Sequence, residues 1–342
     1  MELVGFSEIP ARKFDAFLGT QTTSLIYHST PFLEMLTKLL RCRHRGVVAI
    51  EGGEIVGYIP LMEIDGPYGR VINSLPFFGS HGGIASPRAD VRLALGNYYQ
   101  SLLSEPGLAS ATVIANPLEP TNSLDGIGAN YFDYRTGQLT FLDLSKSEPQ
   151  ALMELIHSKT RNMIRKAQSL GVTVRLDNTA LPALTHLHLE NMHRIGGLPK
   201  PLDFFDLVPK MFIESREWSV FTGHLDGKVI AALLVFYFNG IAEYFTPGVS
   251  EQYRSTQALS LVVFEAIRDA AKRGMRLWNW GGTWPSQETV YRFKSRWGTI
   301  DFPYEYRTTV IDRRLLNLTP GQVLKSYPYF FVLPFGALKS DD

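Results

Sequence analysis

The stretch between residues 218 and 298 constrains the fold most strongly, because two tight-turn dipeptides divide its first part into strands of defined length. Asp226-Gly227 and Asn239-Gly240 supply the positive φ angles that two-residue hairpins require. They separate three apolar segments, which we interpret as strands at 218–224, 228–238 and 241–247. The sequence therefore predicts three consecutive antiparallel strands.

A helix and a fourth strand follow these hairpins. Apolar residues recur at helical spacing before Gly274, as in an amphipathic helix that ends at a glycine, and they are Leu259, Val262, Val263, Ala266, Ile267 and Ala270. The segment 275–280 is predicted as a parallel strand that leads into Gly281 and Gly282. Three antiparallel strands, a helix and a parallel strand make one compact α/β unit. A basic and aromatic segment, 291–298, comes after it.

The first half of the chain repeats this order of elements. It predicts strands at 47–50, 55–64 and 70–78, a loop at 79–83, a helix at 89–103 and a strand at 111–115. Because the shared order extends over a period too long for a solenoid repeat, we interpret the halves as two copies of one fold. The predicted fold class is α/β, with domains at 1–144 and 145–342. Each domain is predicted to be a mixed, mainly antiparallel sheet flanked by helices.

Composition excludes several classes of protein. The 342 residues carry a formal net charge of +1, which argues against a globally basic DNA-binding protein. The single cysteine, Cys42, excludes an internal disulfide and a cysteine-based zinc site, and the eight histidines lack metal-ligand spacing, so we expect no metal. The segment nearest to a spanning helix, 327–338, is interrupted by two prolines. It predicts a packed terminal segment, and the alternative is a membrane-surface anchor. We expect a cytoplasmic protein with at most peripheral membrane contact.

A long helix is predicted at 147–171. Its apolar stripe consists of Leu152, Leu155, Ile156, Met163, Ala167 and Leu170. Lys159 and Lys166 fall at the edge of this stripe and Asn162 lies beside it. A charge at such an edge must extend its head into water or meet an anion. We therefore expect Lys159, Asn162 and Lys166 to contact phosphate.

Within this helix, the segment 160–167 resembles the start of the second domain in the Fem family of peptidoglycan aminoacyltransferases and their relatives. That family carries two acetyltransferase-like (GNAT-type) domains in tandem. Further matches are 244–249 followed by Tyr253 and Arg254, the strand end 278–282 with Gly281 and Gly282, and the set Arg292, Phe293, Lys294, Trp297 and Gly298. The motifs cover the second half of the chain, and the first half matches only in its architecture.

The resemblance implies two tandem GNAT-like domains and transfer of an acyl or aminoacyl group. The acceptor would be an amine of a cell-envelope precursor that carries UDP or a lipid pyrophosphate. The donor would be aminoacyl-tRNA or acyl-CoA, with no tightly bound cofactor, so tRNA is a possible partner. Phe293 and Lys294 match the Phe-Lys pair of the family, whose lysine lies close to the reacting groups.

One departure concerns the loop that holds pyrophosphate in ordinary acetyltransferases. Its two small residues would fall at Gln257 and Leu259, after Arg254, and both positions carry larger side chains. Coenzyme A held by bare backbone N–H groups is therefore disfavoured.

The chemistry supports the same residues without the resemblance. Aminolysis of an ester or thioester needs a positioned carbonyl and donors for the developing oxyanion. Lys294 beside Phe293 and Trp297 would place a positive charge in a partly desolvated region, and the alternative is a surface lysine in an amphipathic segment.

Two arginines near Lys294 form a candidate phosphate site. Arg292 and Arg296 are four residues apart and could share a phosphate, and the alternative is pairing with a carboxylate such as Glu288.

An acyl-CoA-dependent N-acyltransferase is the second enzymatic hypothesis. A non-catalytic tandem domain that binds an anionic glycan or a partner is the hypothesis from another class.

Overall fold

A computed structural model describes residues 1–77, 81–120 and 123–339. The chain forms two compact units: unit 1 comprises Met1–Thr136 and Phe302–Asp342, and unit 2 comprises Gly137–Asp301. Unit 2 is therefore inserted between two segments of unit 1. The sequence predicted one division after residue 144, with all later residues in the second domain. Gly79 and Ser80, from the loop predicted at 79–83, lie outside the described residues.

Unit 1 contains the first strands and helices of the chain. Its strands are β1 (Glu2–Gly5), β2 (Arg43–His44), β3 (Val47–Glu51), β4 (Glu54–Ile59), β5 (Met62–Gly66), β6 (Gly69–Asn73), β7 (Leu108–Ile114), the first part of β8 (Tyr131–Phe141) and most of β14 (Ile300–Val310). Its helices are α1 (Ala11–Thr20), α2 (Thr30–Leu40), α3 (Ala89–Leu102) and α10 (Pro320–Ser326). The chain leaves unit 1 within β8 and returns within β14.

The sheets of unit 1 depend on a break at Pro60, where the missing N–H interrupts the ladder. The strand predicted at 55–64 is split there, so that β4 pairs with β3 and β5 pairs with β6. One sheet has the order β1-β3-β4, and the other runs β2-β5-β6-β7-β14. β6 and β7, joined by α3, are parallel. This is the order of elements that the sequence predicted.

Of the terminal segment predicted to pack at 327–338, residues 327–333 pack into unit 1, whereas Phe335 is 41% exposed. Asn73 at the end of β6 holds Phe331 from both sides, because its amide donates to the Phe331 carbonyl and accepts from the Phe331 N–H, each at 2.7 Å. Ser110 of β7 donates to the Val332 carbonyl at 2.5 Å. Tyr327, Val332 and Leu333 are buried. The segment therefore covers the polar side chains of Asn73 on β6 and Ser110 on β7.

Unit 2 contains the middle of the chain. Its helices are α4 (Pro149–Leu155), α5 (Ser158–Ser169), α6 (Leu181–Arg194), α7 (Leu202–Met211), α8 (Ala258–Lys272) and α9 (Glu288–Ser295). Its strands are β9 (Thr173–Leu176), β10 (Trp218–Leu225), β11 (Lys228–Phe238), β12 (Ile241–Val249) and β13 (Leu277–Thr283), together with the end of β8.

The sheet of unit 2 has the order β8-β13-β12-β11-β10-β9. β10, β11 and β12 are consecutive antiparallel strands, and β13 lies parallel to β12 after the α8 crossover. The predicted turns are present, with φ of 50° and 76° at Asp226 and Gly227 and 46° and 75° at Asn239 and Gly240. α5 and α8 cover one face through a core that includes Ile164, Val262, Trp278 and Trp280. The predicted mixed, mainly antiparallel sheet flanked by helices is confirmed.

The helix predicted at 147–171 is wrong as a single element, because it is broken between α4 and α5. Ile156 and His157 are extended, and the His157 ring accepts a hydrogen bond from the Lys159 N–H at 3.1 Å to cap α5. Arg161 turns back and donates to the Ile156 carbonyl at 2.8 Å. The apolar spacing continues across the break, so periodicity alone does not reveal it.

Candidate functional site

The central feature of unit 2 is the separation of its two parallel strands. β12 and β13 pair over three positions only, from Ile241 opposite Leu277 to Glu243 opposite Asn279, although both strands continue further. On the other side of β12, Phe245 is the extra residue of a β-bulge. We call the region between 244–249 and 280–283 the β12–β13 wedge. Backbone N–H and C=O groups need partners, so such a wedge is suited to an extended ligand.

Lys294 lies at the end of β13. α9 directs its ammonium to the end of β13, where it donates to Thr283 Oγ1 at 2.9 Å and to the Gly282 and Gly281 carbonyls at 3.2 and 3.5 Å. The residue is only 6% exposed. Burial lowers the pKa of Lys294 from 10.5 to about 8.

This environment excludes the surface alternative for Lys294. The lysine is buried, so it is not a surface residue of an amphipathic segment. Because its pKa of about 8 lies above 7, the side chain is mostly charged at neutral pH. A fixed ammonium in a region of low dielectric can stabilise a developing oxyanion. The same three hydrogen bonds also fix Gly281, Gly282 and Thr283 at the strand end.

The aromatic neighbours of Lys294 form a buried group. Trp297 is fully buried, with ring centroids 5.5 Å from Trp280 and 6.2 Å from Phe293. Trp280 Nε1 donates to Thr140 Oγ1 at 2.9 Å, and that hydroxyl donates to the Trp297 carbonyl at 3.0 Å. These contacts hold the segment after α9 against β13.

The sequence analysis missed a buried carboxylate, Glu243. It is 1% exposed at the last position of β12 that pairs with β13, and Asn279 Nδ2 donates to its Oε1 at 3.1 Å. Asn279 also accepts from the Gly281 N–H at 2.9 Å. Hydrogen bonds thus connect Glu243 through Asn279 and Gly281 to Lys294. The only signal in the sequence is a charged residue within an otherwise apolar strand.

The loop before α8 carries Tyr253 and Arg254. Arg254 is exposed and forms an ion pair with Glu251 at 3.1 Å, while Tyr253 packs against the core of unit 2. Gln257 has a φ of 63°, in the left-handed region. The Ala258 N–H at the start of α8 donates to Thr256 Oγ1 at 3.3 Å. A glycine-rich loop would offer such an N–H group to pyrophosphate. Here the Ala258 N–H is bonded instead to the Thr256 side chain of the same loop.

The two arginines of the α9 segment have different environments. Arg292 forms an ion pair with Glu288, which is the alternative that the sequence left open. Arg296 is half-buried at the end of α9, and its carbonyl accepts from the His157 N–H at 2.9 Å. The end of α9 therefore adjoins the start of α5.

Lys159, Asn162 and Lys166 lie on the exposed face of α5. The spacing of three and four residues aligns them in one row. Their side chains are accessible to a large anion rather than enclosed in a pocket.

No group of three His, Cys, Asp or Glu side chains among residues 1–77, 81–120 and 123–339 is arranged to hold a metal ion. Over the same described residues, no helix combines the length and the apolar character required to cross a membrane.

Part of the chain matches a known family model. Residues 157–295 match the family model for the acetyltransferase (GNAT) domain. This region extends from the cap of α5 to the end of α9, and it includes Glu243, the wedge and Lys294. No curated protein sequence matches the chain.

Three solved structures resemble most of the chain. FemX has a TM-score of 0.71 at 14% identity, covering 92% of this chain and 98% of that one. A conserved protein of unknown function from Bacteroides thetaiotaomicron has a TM-score of 0.57 at 10% identity, with coverage of 89% and 98%. A tandem GNAT protein from the clavulanic acid biosynthesis pathway has a TM-score of 0.54 at 14% identity, with coverage of 90% and 98%. At these identities the similarity concerns the fold, and the predicted tandem GNAT architecture is confirmed.

Proposed function

We propose that the protein is an N-acyltransferase that moves an acyl or aminoacyl group from an activated ester or thioester to an amine, with unit 2 as the catalytic unit. One observation carries the proposal. Inside the region that matches the GNAT domain, a buried carboxylate, Glu243, lies where the β12–β13 wedge begins, and a buried ammonium, Lys294, is hydrogen-bonded to the end of β13.

The reaction follows from these groups. The donor lies in the wedge, and its carbonyl oxygen gains negative charge as the acceptor amine attacks and the C–N bond forms. Lys294 stabilises that charge, and Glu243 accepts the proton that the amine loses. The C–O or C–S bond of the donor then breaks. The leaving oxygen or sulfur takes up a proton from water, and Glu243 returns to water the proton that it accepted. Asn279 orients Glu243 through the hydrogen bond between them.

The donor and acceptor are finer proposals. Acyl-CoA is the donor that the GNAT family model supports, and aminoacyl-tRNA is the alternative that the Fem resemblance implies. The acceptor that this resemblance implies is an amine of a cell-envelope precursor with a UDP or lipid pyrophosphate. Because the loop before α8 lacks its small residues, we assign pyrophosphate contact to the side chains of Arg254 and Tyr253.

The remaining predicted residues keep supporting roles in this proposal. Phe293 and Trp297 exclude water from Lys294, and Gly281 and Gly282 hold its ammonium. Arg292 and Arg296 are proposed acceptor contacts at the end of α9. Lys159, Asn162 and Lys166 bind anions and take no part in the chemistry, because they are exposed on α5.

The test is single-turnover transfer followed by mass spectrometry. Thermal shifts against acyl-CoA, coenzyme A, aminoacyl-tRNA and UDP-linked sugar peptides identify the donor and acceptor first. Glu243→Gln keeps the shape and the acceptor for Asn279, and we expect turnover to fall by ~10²–10⁴-fold because proton transfer is lost. Glu265→Gln, a carboxylate paired with Arg268 on α8, should react like the wild type. Binding of ligands with no transfer to any amine would favour the non-catalytic hypothesis instead.

A further inference from the structure

α5 carries a concentration of positive charge that the rest of unit 2 does not. Its twelve residues include Lys159, Arg161, Arg165 and Lys166 and no acidic residue. Arg161 is engaged with the Met153 and Ile156 carbonyls. The other three are exposed, and within the described part of the chain none of them lies within 4.0 Å of a carboxylate.

Six of the nine arginines of unit 2 outside α5 have a carboxylate partner. Arginines outside α5 that have a carboxylate partner are Arg194, Arg216, Arg254, Arg268, Arg273 and Arg292. The protein as a whole is nearly neutral, with a net charge of +1. The charge on α5 is therefore a local feature, suited to a partner that is itself an extended anion.

Apolar residues accompany these cations. Leu170 continues the row of Lys159, Asn162 and Lys166 by four residues and is 46% exposed. Leu176, 43% exposed, lies on the edge strand β9 opposite Phe221, whose side chain belongs to the core under α5. We call Lys159, Asn162, Lys166 and Leu170 the α5 row.

This combination distinguishes between two kinds of polyanion. Single-stranded RNA is bound by cations together with aromatic side chains on which bases stack, and residues 158–176 contain no aromatic residue. An anionic membrane surface takes cations at its phosphate groups and aliphatic side chains at the boundary with the acyl chains. Exposed leucines beside these lysines fit the membrane surface better than single-stranded RNA.

We propose that the α5 row docks on an anionic membrane surface, with Lys159 and Lys166 among the lipid phosphates and Leu170 at the boundary with the acyl chains. Asn162 donates to the same headgroups. This docking would hold the protein where lipid-linked acceptors are found. It needs no acyl donor, so it does not depend on the proposed reaction.

The experiment measures sedimentation of the full chain with vesicles of phosphatidylcholine alone or with equal parts of phosphatidylglycerol. We expect binding only to the anionic vesicles, and weaker binding as salt is added. The double variant Lys159→Gln/Lys166→Gln should bind about 30-fold more weakly, from the typical contribution of each cation near such a surface. Leu170→Ser should also weaken binding.

A matched control removes the same charge elsewhere on unit 2. Lys210→Gln/Lys228→Gln changes two exposed lysines outside the α5 row and should bind like the wild type. Equal loss in both double variants, or equal binding to neutral vesicles, would overturn the proposal. So would binding of tRNA, or of a soluble UDP-sugar pyrophosphate, that depends on Lys159 and Lys166 while vesicles do not bind. Lys294→Met should retain vesicle binding, which separates this result from the acyltransferase test.

Discussion

Replacing Lys294 with Met should change how the stability of the protein depends on pH. Burial lowers the pKa of Lys294 from 10.5 to about 8 in the folded state. Between these values the unfolded chain binds more protons than the folded one, so the free energy of unfolding rises with pH across this window. The difference between the two pKa values corresponds to about 3 kcal/mol. Methionine does not titrate, so the variant should lack this rise.

The assay is urea unfolding followed by tryptophan fluorescence at several values between pH 7 and 10.5. Tyrosine ionisation affects both proteins equally and cancels in the difference between them. Relative to the variant, the wild type should gain about 3 kcal/mol over this range. Lys228→Met, an exposed lysine on β11, should follow the wild type. Parallel curves for wild type and Lys294→Met would refute the inference that the ammonium is desolvated.

The same substitution tests catalysis. Turnover by Lys294→Met should fall ~10²-fold or more, as for loss of one oxyanion donor. Wild-type turnover should also decline as pH rises through about 8, where the ammonium loses its proton. Lys294→Arg should recover little activity, because a planar guanidinium does not replace a compact ammonium. Full activity in the Met variant would remove Lys294 from the reaction.

Two further substitutions test the packing. Gly298→Ala should lower the free energy of unfolding by ~2–4 kcal/mol in urea titrations, because φ is 69° and a Cβ would lie 2.5 Å from Leu155 Cγ. Gly171→Ala, with a φ of 82° in open space, should lower it by only ~1 kcal/mol. Equal losses in the two variants would contradict the steric argument. Asn73→Ala should release the segment 327–333 and speed tryptic cleavage after Lys325, measured by mass spectrometry. Asn130→Ala removes a similar pair of hydrogen bonds, to Val310, and should leave this cleavage rate unchanged. Equal cleavage rates in the two variants would show that Asn73 does not hold the segment.

Local patterns predicted much of unit 2. The dipeptides at Asp226 and Asn239 determine two hairpins because their positive φ angles are a property of the turn itself. Gly274 ends the helix before it for the same reason. Each of these signals acts over a few residues, so no distant contact is needed to interpret it.

Other features depend on contacts that the sequence does not display. Glu243 becomes a candidate base only because β12 and β13 pair in a register that sets it beside Asn279, 36 residues later. The burial of Lys294 depends on the same strand end. The break at His157 was missed because an N-cap formed by a histidine ring is uncommon. Long-range pairing and unusual caps are the parts that periodicity does not encode.

The passage of the chain through β8 and β14 has a consequence for how the protein is made. The two ends of unit 2 meet where Gln138 Nε2 donates to Thr299 Oγ1 at 3.4 Å, so this unit has all of its residues once the ribosome has passed position 301. Synthesis of unit 1 begins first but is completed last, because its sheet includes β14 and its polar side chains bind the segment 327–333. During synthesis the inserted unit is therefore completed before the unit that surrounds it in sequence, and the first 136 residues remain an unfinished fold until the segment 327–333 has been made.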